Sequence, residues 1–148
     1  MQLKSKTYNL STKLYFAYGA NMALSSMLSR CPLARPLQKF TLRGWRLDFG
    51  HHATIVRDPD AVCDGALWEI TDICEESLDI FEGYPSYYKK IYLEQDGFKF
   101  MAYEMNELDM SAVPSQGYIE LLEEGYRDWN LDMRLLDKAT GFESVWMY

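Results

Sequence analysis

Residues 13–22 read KLYFAYGANM, and this stretch decides how the chain begins to fold. The four apolar or aromatic residues from Leu14 to Ala17 predict a buried strand, and Gly19 permits a tight turn directly after it. Asn21 is a favoured helix N-cap, so a helix is predicted from Met22. The N–H groups of such a turn point outward at the positive end of a helix dipole, where they suit an anionic oxygen. An ordinary strand-to-helix connection is the alternative, and the local pattern leaves both interpretations open.

The composition is typical of a packed globular domain. The chain has 148 residues, of which 48% are hydrophobic and 15% aromatic, enough to build a core. A net charge of −7 and a pI near 4.8 disfavour nucleic acid or an anionic membrane as the main partner, because both would repel the protein. A small molecule or another protein remains.

The sequence carries no visible targeting or membrane segment. The N-terminal MQLKSKTYNL lacks the apolar run of a secretory signal, and nowhere do about 18 apolar residues follow one another. Cys31, Cys63 and Cys74 are odd in number and lack paired spacing, which predicts buried or free thiols in a reducing compartment. We therefore expect a cytoplasmic protein.

The rest of the chain alternates between strand and helix patterns. Strands are predicted over 37–49, 53–56, 62–70, 88–93 and 98–103, with turns at Asp58-Pro59-Asp60 and Asp96-Gly97. Helices are predicted over 22–30, from Thr71 or Asp72 to a stop at Gly83, over 115–129 and over 131–139. No repeat or linker divides the chain, so the sequence predicts one α+β domain over residues 1–148 with a strongly curved or closed antiparallel sheet.

The stretch LDIFEGYPSYYKK, residues 78–90, contains a candidate acid/base residue, Glu82. It falls at the C-terminal end of a predicted helix, where the dipole disfavours a carboxylate, and a cluster of tyrosines follows it. Both effects raise a carboxyl pKa, and a raised pKa suits general acid/base chemistry at neutral pH. The alternative is a solvated glutamate at a helix end, which is also our interpretation of Glu75, Glu76 and Asp79.

Other chemical motifs are weak. His51 and His52 with Cys63 or Cys74 match no closed zinc pattern, and neighbouring strand residues point to opposite faces, so the histidines are interpreted as structural or solvent-facing. No serine lies in a nucleophile elbow, and no glycine spacing of the Walker or Rossmann type occurs. The sequence thus predicts neither a cofactor nor a metal site.

Five motifs in order resemble the γ-glutamylcyclotransferase family. They are YFAYGAN at 15–21, LDFG at 47–50, GALW at 65–68, LDIFEG at 78–83 and PSQGY at 114–118. The family signature is YGSN, or a near variant, with a glutamate in an EG pair; this chain has YGAN and Glu82-Gly83. The resemblance spans nearly the whole chain and implies a small, twisted antiparallel β-barrel flanked by helices, with a cavity beside the YGAN turn. Family members release 5-oxoproline from γ-glutamyl donors without a cofactor.

The resemblance also implies the site residues. Glu82 would take a proton from the substrate α-amine, which attacks its own γ-carbonyl, and would return it to the departing amine. The main chain of the turn would hold the α-carboxylate or the developing oxyanion, Tyr88 would flank Glu82, and Tyr103 and Tyr118 would offer hydroxyls. The residues implied to contact substrate are Tyr15, Phe16, Ala17, Tyr18, Gly19, Ala20, Asn21, Tyr88, Tyr103 and Tyr118.

Three functions stay open at this stage. The first is release of 5-oxoproline from a γ-glutamyl amino acid or peptide, by a monomer or a homodimer. The second is a γ-glutamylamine cyclotransferase, which an acidic rim recruiting a cationic amine would favour. The third is a non-catalytic module that binds a metabolite, an interpretation kept open by Ala20, which stands where the family has serine.

Overall fold

Strand β1, Thr12–Ala17, lies at the centre of a five-stranded sheet in a computed structural model that describes residues 11–141. The other strands are β2 Arg35–Phe49, β3 Ala53–Thr71, β4 Tyr88–Gln95 and β5 Phe98–Met105. The helices are α1 Leu24–Arg30, α2 Asp72–Glu82, α3 Gln116–Asp128 and α4 Met133–Thr140, with a short 3₁₀ turn at Ala20–Met22. The predicted α+β class is confirmed.

The sheet order is β2-β3-β1-β5-β4, and its pairing is mixed. All six residues of β1 pair antiparallel with β3, whereas β1 runs parallel to β5. Within residues 11–141 the edge strands β2 and β4 do not pair. Instead the Gln95 side chain donates to the Thr41 carbonyl and accepts from the Arg43 N–H, both at 2.9 Å. The predicted antiparallel barrel is therefore a strongly curved, open mixed sheet whose edges are bridged by a side chain.

A single long strand, β3, replaces the two short strands predicted over 53–56 and 62–70. The predicted turn at Asp58-Pro59-Asp60 lies inside it. The pairing register of β3 against β2 jumps from Arg57 to Val62, so the intervening residues bulge out of the ladder. Proline has no N–H to give a ladder, and the bulge accommodates it without ending the strand.

The predicted caps of the later elements are confirmed. Thr71 accepts a hydrogen bond from the Cys74 N–H at the start of α2, and Gly83 ends that helix in the left-handed conformation at φ 66°. Asp96 and Gly97 both have positive φ, as the tight turn between β4 and β5 requires. Each of these signals is local, which is why the sequence alone locates them.

The prediction that Asn21 caps the first helix is wrong. Asn21 lies within the 3₁₀ turn, and α1 begins after Ala23, which makes no side-chain cap. The Asn21 side chain is instead 2% exposed and points into the protein. Its amide is used by tertiary partners, described below, which compete with the local cap.

The core fills the inner face of the sheet. Phe16 packs against the rings of Phe40 and Phe100, with centroids 5.9 Å away in both cases. Further side chains with almost no exposure are Trp68, Tyr103, Tyr126, Met22, Met27, Ile55, Leu67, Ile70, Leu78, Met101 and Leu122. The cysteines Cys31, Cys63 and Cys74 are buried and form no disulfide bond with one another, as predicted.

We predict that two glycines of α3 respond oppositely to alanine, because only one of them touches the 3₁₀ turn. A Cβ on Gly125 would lie 2.7 Å from the Met22 Cβ, whereas a Cβ on Gly117 meets nothing within 4 Å. Gly125→Ala should lower the free energy of unfolding by about 1–3 kcal/mol through overpacking. Gly117→Ala, the matched control, should be neutral or stabilise by up to about 1 kcal/mol. Urea denaturation measures both, and equal effects would contradict the packing of α3 on the turn.

Candidate active site

A cavity of about 270 Å³ opens between the turn that follows β1 and the C-terminal end of α2. Nine residues named in the sequence analysis line it: Tyr15, Tyr18, Gly19, Ala20, Asn21, Glu82, Tyr88, Tyr103 and Tyr118. Six further residues complete the lining: His52, Ala53, Ile80, Phe81, Gly83 and Tyr87. The fold thus brings together the YGAN turn, the EG pair and the tyrosines, although they are far apart in sequence.

Two of the named residues, Phe16 and Ala17, do not line the cavity. Successive residues of a strand point to opposite faces, so Phe16 points away from Tyr15 and into the aromatic core. Ala17 is 1% exposed and belongs to the same core. Their predicted contact with substrate is therefore corrected to a packing role.

Gly19 begins the turn with a ψ of −132°, which lies outside the helical and extended regions of the backbone map. Its φ is −123°, and an added Cβ would make normal contacts of 3.4 Å with the Ala53 Cβ and the Tyr118 Oη. The Met22 N–H donates to the Gly19 carbonyl and closes the 3₁₀ turn. The amides of Gly19, Ala20 and Asn21 precede that first bond and so have no partner within the turn.

The Asn21 side chain connects the turn to three other elements. Its amide donates to the Tyr15 hydroxyl at 3.0 Å and makes a long 3.5 Å contact with Glu82 Oε2. Its carbonyl oxygen accepts a hydrogen bond from the Arg30 guanidinium, which lies 3.5 Å above the Phe81 ring. Asn21 is therefore held from both ends in a fixed orientation beside Glu82.

Glu82, the last residue of α2, is half-buried and faces the cavity. Burial raises the pKa of its carboxyl group to about 7, while the nearby Arg30 guanidinium opposes that shift. The predicted direction is confirmed, and desolvation rather than the helix dipole carries it. At neutral pH the carboxyl group is therefore present in both protonation states.

The tyrosine hydroxyls of the lining differ in what they offer a ligand. Tyr18 and Tyr88 donate their protons to the main-chain carbonyls of Tyr103 and Ala53, each at 2.5 Å, and Tyr103 donates to Asp79 at 2.6 Å. By contrast, Tyr15 accepts from Asn21, and Tyr118 accepts from the Ala53 N–H at 3.0 Å. The hydroxyl groups of Tyr15 and Tyr118 can therefore still donate a hydrogen bond to a ligand. The Tyr103 hydroxyl, which we expected to bind the donor, already donates its proton to Asp79.

A second glutamate of the same helix, Glu75, has the opposite electrostatics. Burial opposes its ionisation, but hydrogen bonds from Lys13 and Lys90 outweigh that effect and lower its pKa. Lys90 also bonds Asp79 at 3.0 Å. The prediction of a solvated face at Glu75 and Asp79 is therefore wrong, because lysines pair with both carboxylates. Two carboxyl groups on one helix are pushed apart in pKa by their surroundings, a pattern found at acid/base sites.

His52, which the sequence indicated to be structural or solvent-facing, is one of the lining residues that sequence reasoning did not assign to the site. Its Nδ1 lies 2.9 Å from the Tyr87 hydroxyl, and its ring packs edge-on against Tyr118 with centroids 5.0 Å apart. Burial and the neighbouring His51 lower the pKa of His52, so the ring is neutral at pH 7. The sequence around His51 and His52 did not indicate a place in the site, because the residues that contact His52 lie in distant parts of the chain.

Within residues 11–141 no group of three or more His, Cys, Asp or Glu side chains is placed to hold a metal ion, so the histidines and cysteines of this region do not converge on one site. In the same part of the chain, no helix combines the length and apolar character needed to cross a membrane.

Comparison with known families shows which family the chain belongs to. The sequence profile described as "Gamma-glutamyl cyclotransferase, AIG2-like" matches residues 15–130, which include the whole cavity lining. The chain belongs to the AIG2-like γ-glutamyl cyclotransferase family. A search of curated protein sequences found no match.

Solved structures show the same family fold. A protein described as "Gamma-glutamyl cyclotransferase" superposes with a TM-score of 0.79 at 26% identity, over 90% of this chain and 89% of that one. The human uncharacterized protein loc79017 gives a TM-score of 0.77 at 27% identity, over 89% and 88% of the two chains. YkqA from Bacillus subtilis, at 21% identity and a TM-score of 0.70, shares the fold over 90% of this chain and 54% of its own. The cyclotransferase architecture therefore extends over most of the chain.

We predict that Glu82 makes the stability of the protein fall as pH rises. Between its ordinary pKa of 4.5 and about 7 the folded state keeps a proton that the unfolded state releases, so ionisation favours unfolding. Relative to Glu82→Gln, the wild-type protein should lose about 1–3 kcal/mol of unfolding free energy between pH 4.5 and pH 8, the upper value being discounted for partial exposure.

Urea denaturation across this pH range measures the difference. Glu76→Gln, the same change on an exposed residue of the same helix, keeps Glu82 and is the control; its pH profile should parallel that of the wild-type protein. Parallel pH profiles for the wild-type protein and Glu82→Gln would refute the raised pKa.

Proposed function

We propose that this protein is a γ-glutamylcyclotransferase that releases 5-oxoproline and a free amine from a γ-glutamyl amino acid or peptide. The α-amine of the γ-glutamyl unit attacks its own γ-carbonyl carbon, a five-membered lactam forms, and the bond to the second amine breaks. Neither water nor an electron acceptor takes part. The observation that carries the proposal is Glu82, half-buried beside the turn in a tyrosine-lined cavity with its pKa raised to about 7.

The raised pKa of Glu82 supports its role in moving protons. Raising the pKa of the accepting carboxyl group from 4.5 to about 7 makes proton transfer from the substrate α-ammonium group easier by about 2.5 pKa units, or roughly 3.4 kcal/mol. After the attack the ring nitrogen loses a second proton, and Glu82 passes both protons in turn to the departing amine, which leaves as an ammonium ion, so the carboxyl group ends the cycle unchanged.

Neutral donors are available in the cavity to hold negative charge. Within the described residues the cavity lining includes no lysine or arginine. The amides of Gly19, Ala20 and Asn21, with the hydroxyls of Tyr15 and Tyr118, are the groups that would hold the substrate α-carboxylate and the developing oxyanion. Preorganised donors of this kind stabilise charge well in a site that excludes water.

The described lining lacks the acidic rim that would favour γ-glutamylamines. Glu82 is the one acid among the described lining residues. Since Glu82 is needed for the α-amine proton, no second carboxylate remains for a cationic leaving group. The substitution of alanine for the family serine leaves the main-chain donors of the turn in place.

Replacing Glu82 should abolish turnover without unfolding the protein. We expect Glu82→Gln to lower kcat by about two to four orders of magnitude, because a carboxamide accepts no proton at neutral pH. Incubation with γ-glutamyl amino acids, glutathione and γ-glutamyl amines, followed by chromatographic detection of 5-oxoproline, provides the assay.

Glu76→Gln should turn over normally. A wild-type protein that binds γ-glutamyl compounds but forms no 5-oxoproline would instead be a metabolite-binding module. A folded Glu82→Gln protein that releases 5-oxoproline at a near-normal rate would refute the mechanism.

Restoring the family serine should have a small effect. If main-chain amides hold the anion, Ala20→Ser adds at most one neutral hydrogen bond, worth about 0.5–1.5 kcal/mol, so kcat/KM should change by less than about tenfold. Steady-state kinetics on the best substrate of the panel measures this. A rise of a hundredfold or more would mean that the site depends on the missing hydroxyl and that this chain has drifted from the family activity.

A further inference from the structure

Large apolar side chains are exposed around the mouth of the cavity. Ile80 is 83% exposed, Phe81 45% and Tyr87 39%, and all three also line the cavity. We call these three residues the apolar rim. Exposed clusters of this kind on an otherwise charged protein mark places where a ligand or partner is bound.

The position of Glu82 places the leaving group at the rim. Ile80 and Phe81 immediately precede Glu82 on α2, and all three residues line the cavity. In the proposed reaction the departing amine takes its protons from Glu82, so its substituent lies beside the apolar rim.

The mouth offers little opposite charge to a charged leaving group. His52 hydrogen-bonds Tyr87 and is neutral at pH 7, because burial and His51 lower its pKa. Arg30 is stacked on the Phe81 ring and bonded to Asn21, so its guanidinium is already engaged. A leaving group with an extra charge finds no opposite charge in the described lining beyond Glu82 itself.

From these observations we infer that the leaving amine carries a large apolar group, aromatic or branched aliphatic, which covers the apolar rim. The inference rests on the proposed function and narrows its substrate class. Contact with the substituent removes apolar surface of Ile80, Phe81 and Tyr87 from water, which stabilises the bound substrate and its transition state alike.

A graded substrate series tests the inference. With wild-type protein, kcat/KM for γ-glutamyl-phenylalanine and γ-glutamyl-leucine should exceed that for γ-glutamyl-alanine and γ-glutamyl-glycine by about tenfold or more. ε-(γ-glutamyl)lysine, whose leaving group carries an additional α-ammonium group and ends without an apolar side chain, should be as poor as the small members. Equal values across the series, or preference for the small or charged members, would overturn the inference.

Two isoleucines of α2 provide a matched pair for the rim itself. Ile80→Ser should lower kcat/KM for γ-glutamyl-phenylalanine by about three- to tenfold more than for γ-glutamyl-alanine, because only the larger group reaches residue 80. Ile73→Ser changes the same residue type on the same helix, at a position that is 62% exposed and not in the lining, and should alter neither value. Equal losses for both substrates in Ile80→Ser would count against the rim.

A binding measurement separates this inference from the proposed reaction. Calorimetry on Glu82→Gln protein should show a dissociation constant for γ-glutamyl-phenylalanine at least about tenfold below that for γ-glutamyl-alanine. That preference without 5-oxoproline formation by the wild-type protein would uphold the rim and refute the proposed reaction. Turnover without any preference in binding or kcat/KM would uphold the proposed reaction and refute the role of the apolar rim.

Discussion

The pairing of β1 on both of its edges is the constraint on which the site depends. β3 holds all six residues of β1 in antiparallel register, and β5 holds Leu14 and Tyr15 in parallel register. A strand fixed in this way has no freedom to shift, so the turn that follows Ala17 leaves the sheet at a defined place opposite the end of α2. Because a one-residue slip would exchange the faces, the same register puts Tyr15 toward the cavity and Phe16 into the core.

Desolvation then gives the site its chemistry. On α2, Glu75 meets two lysines and stays ionised, whereas Glu82 meets tyrosines, an asparagine amide and a more distant arginine. Leaving Glu82 without a close cation costs stability at neutral pH, since the folded state favours its protonated form. The left-handed Gly83 ends the helix directly after Glu82, so the carboxyl group lies at the cavity instead of continuing along a solvent-facing helix.

The features that the sequence could predict are those set by interactions between residues close together in the chain. Thr71, Gly83, Asp96 and Gly97 act within a few residues, and the elements that they bound were predicted closely. Asparagine is a favoured N-cap residue, but the side-chain amide of Asn21 hydrogen-bonds Tyr15 and Arg30, which come close to it only in the folded chain. The parallel pairing of β1 with β5 joins strands more than 80 residues apart in sequence, and no local pattern encodes it.

The cavity lining shows the same division. Family resemblance located the turn and Glu82, while His52, Ile80 and Phe81 became visible only through their positions at the mouth. The central claim is that burial brings the Glu82 carboxyl group into the neutral pH range. Its most direct test is a ¹³C NMR titration of glutamate side-chain carboxyl signals in the full chain, with the Glu82 signal assigned by its loss in Glu82→Gln. We expect a pKa of about 7 for that signal, and a value near the ordinary 4.5 would contradict the claim.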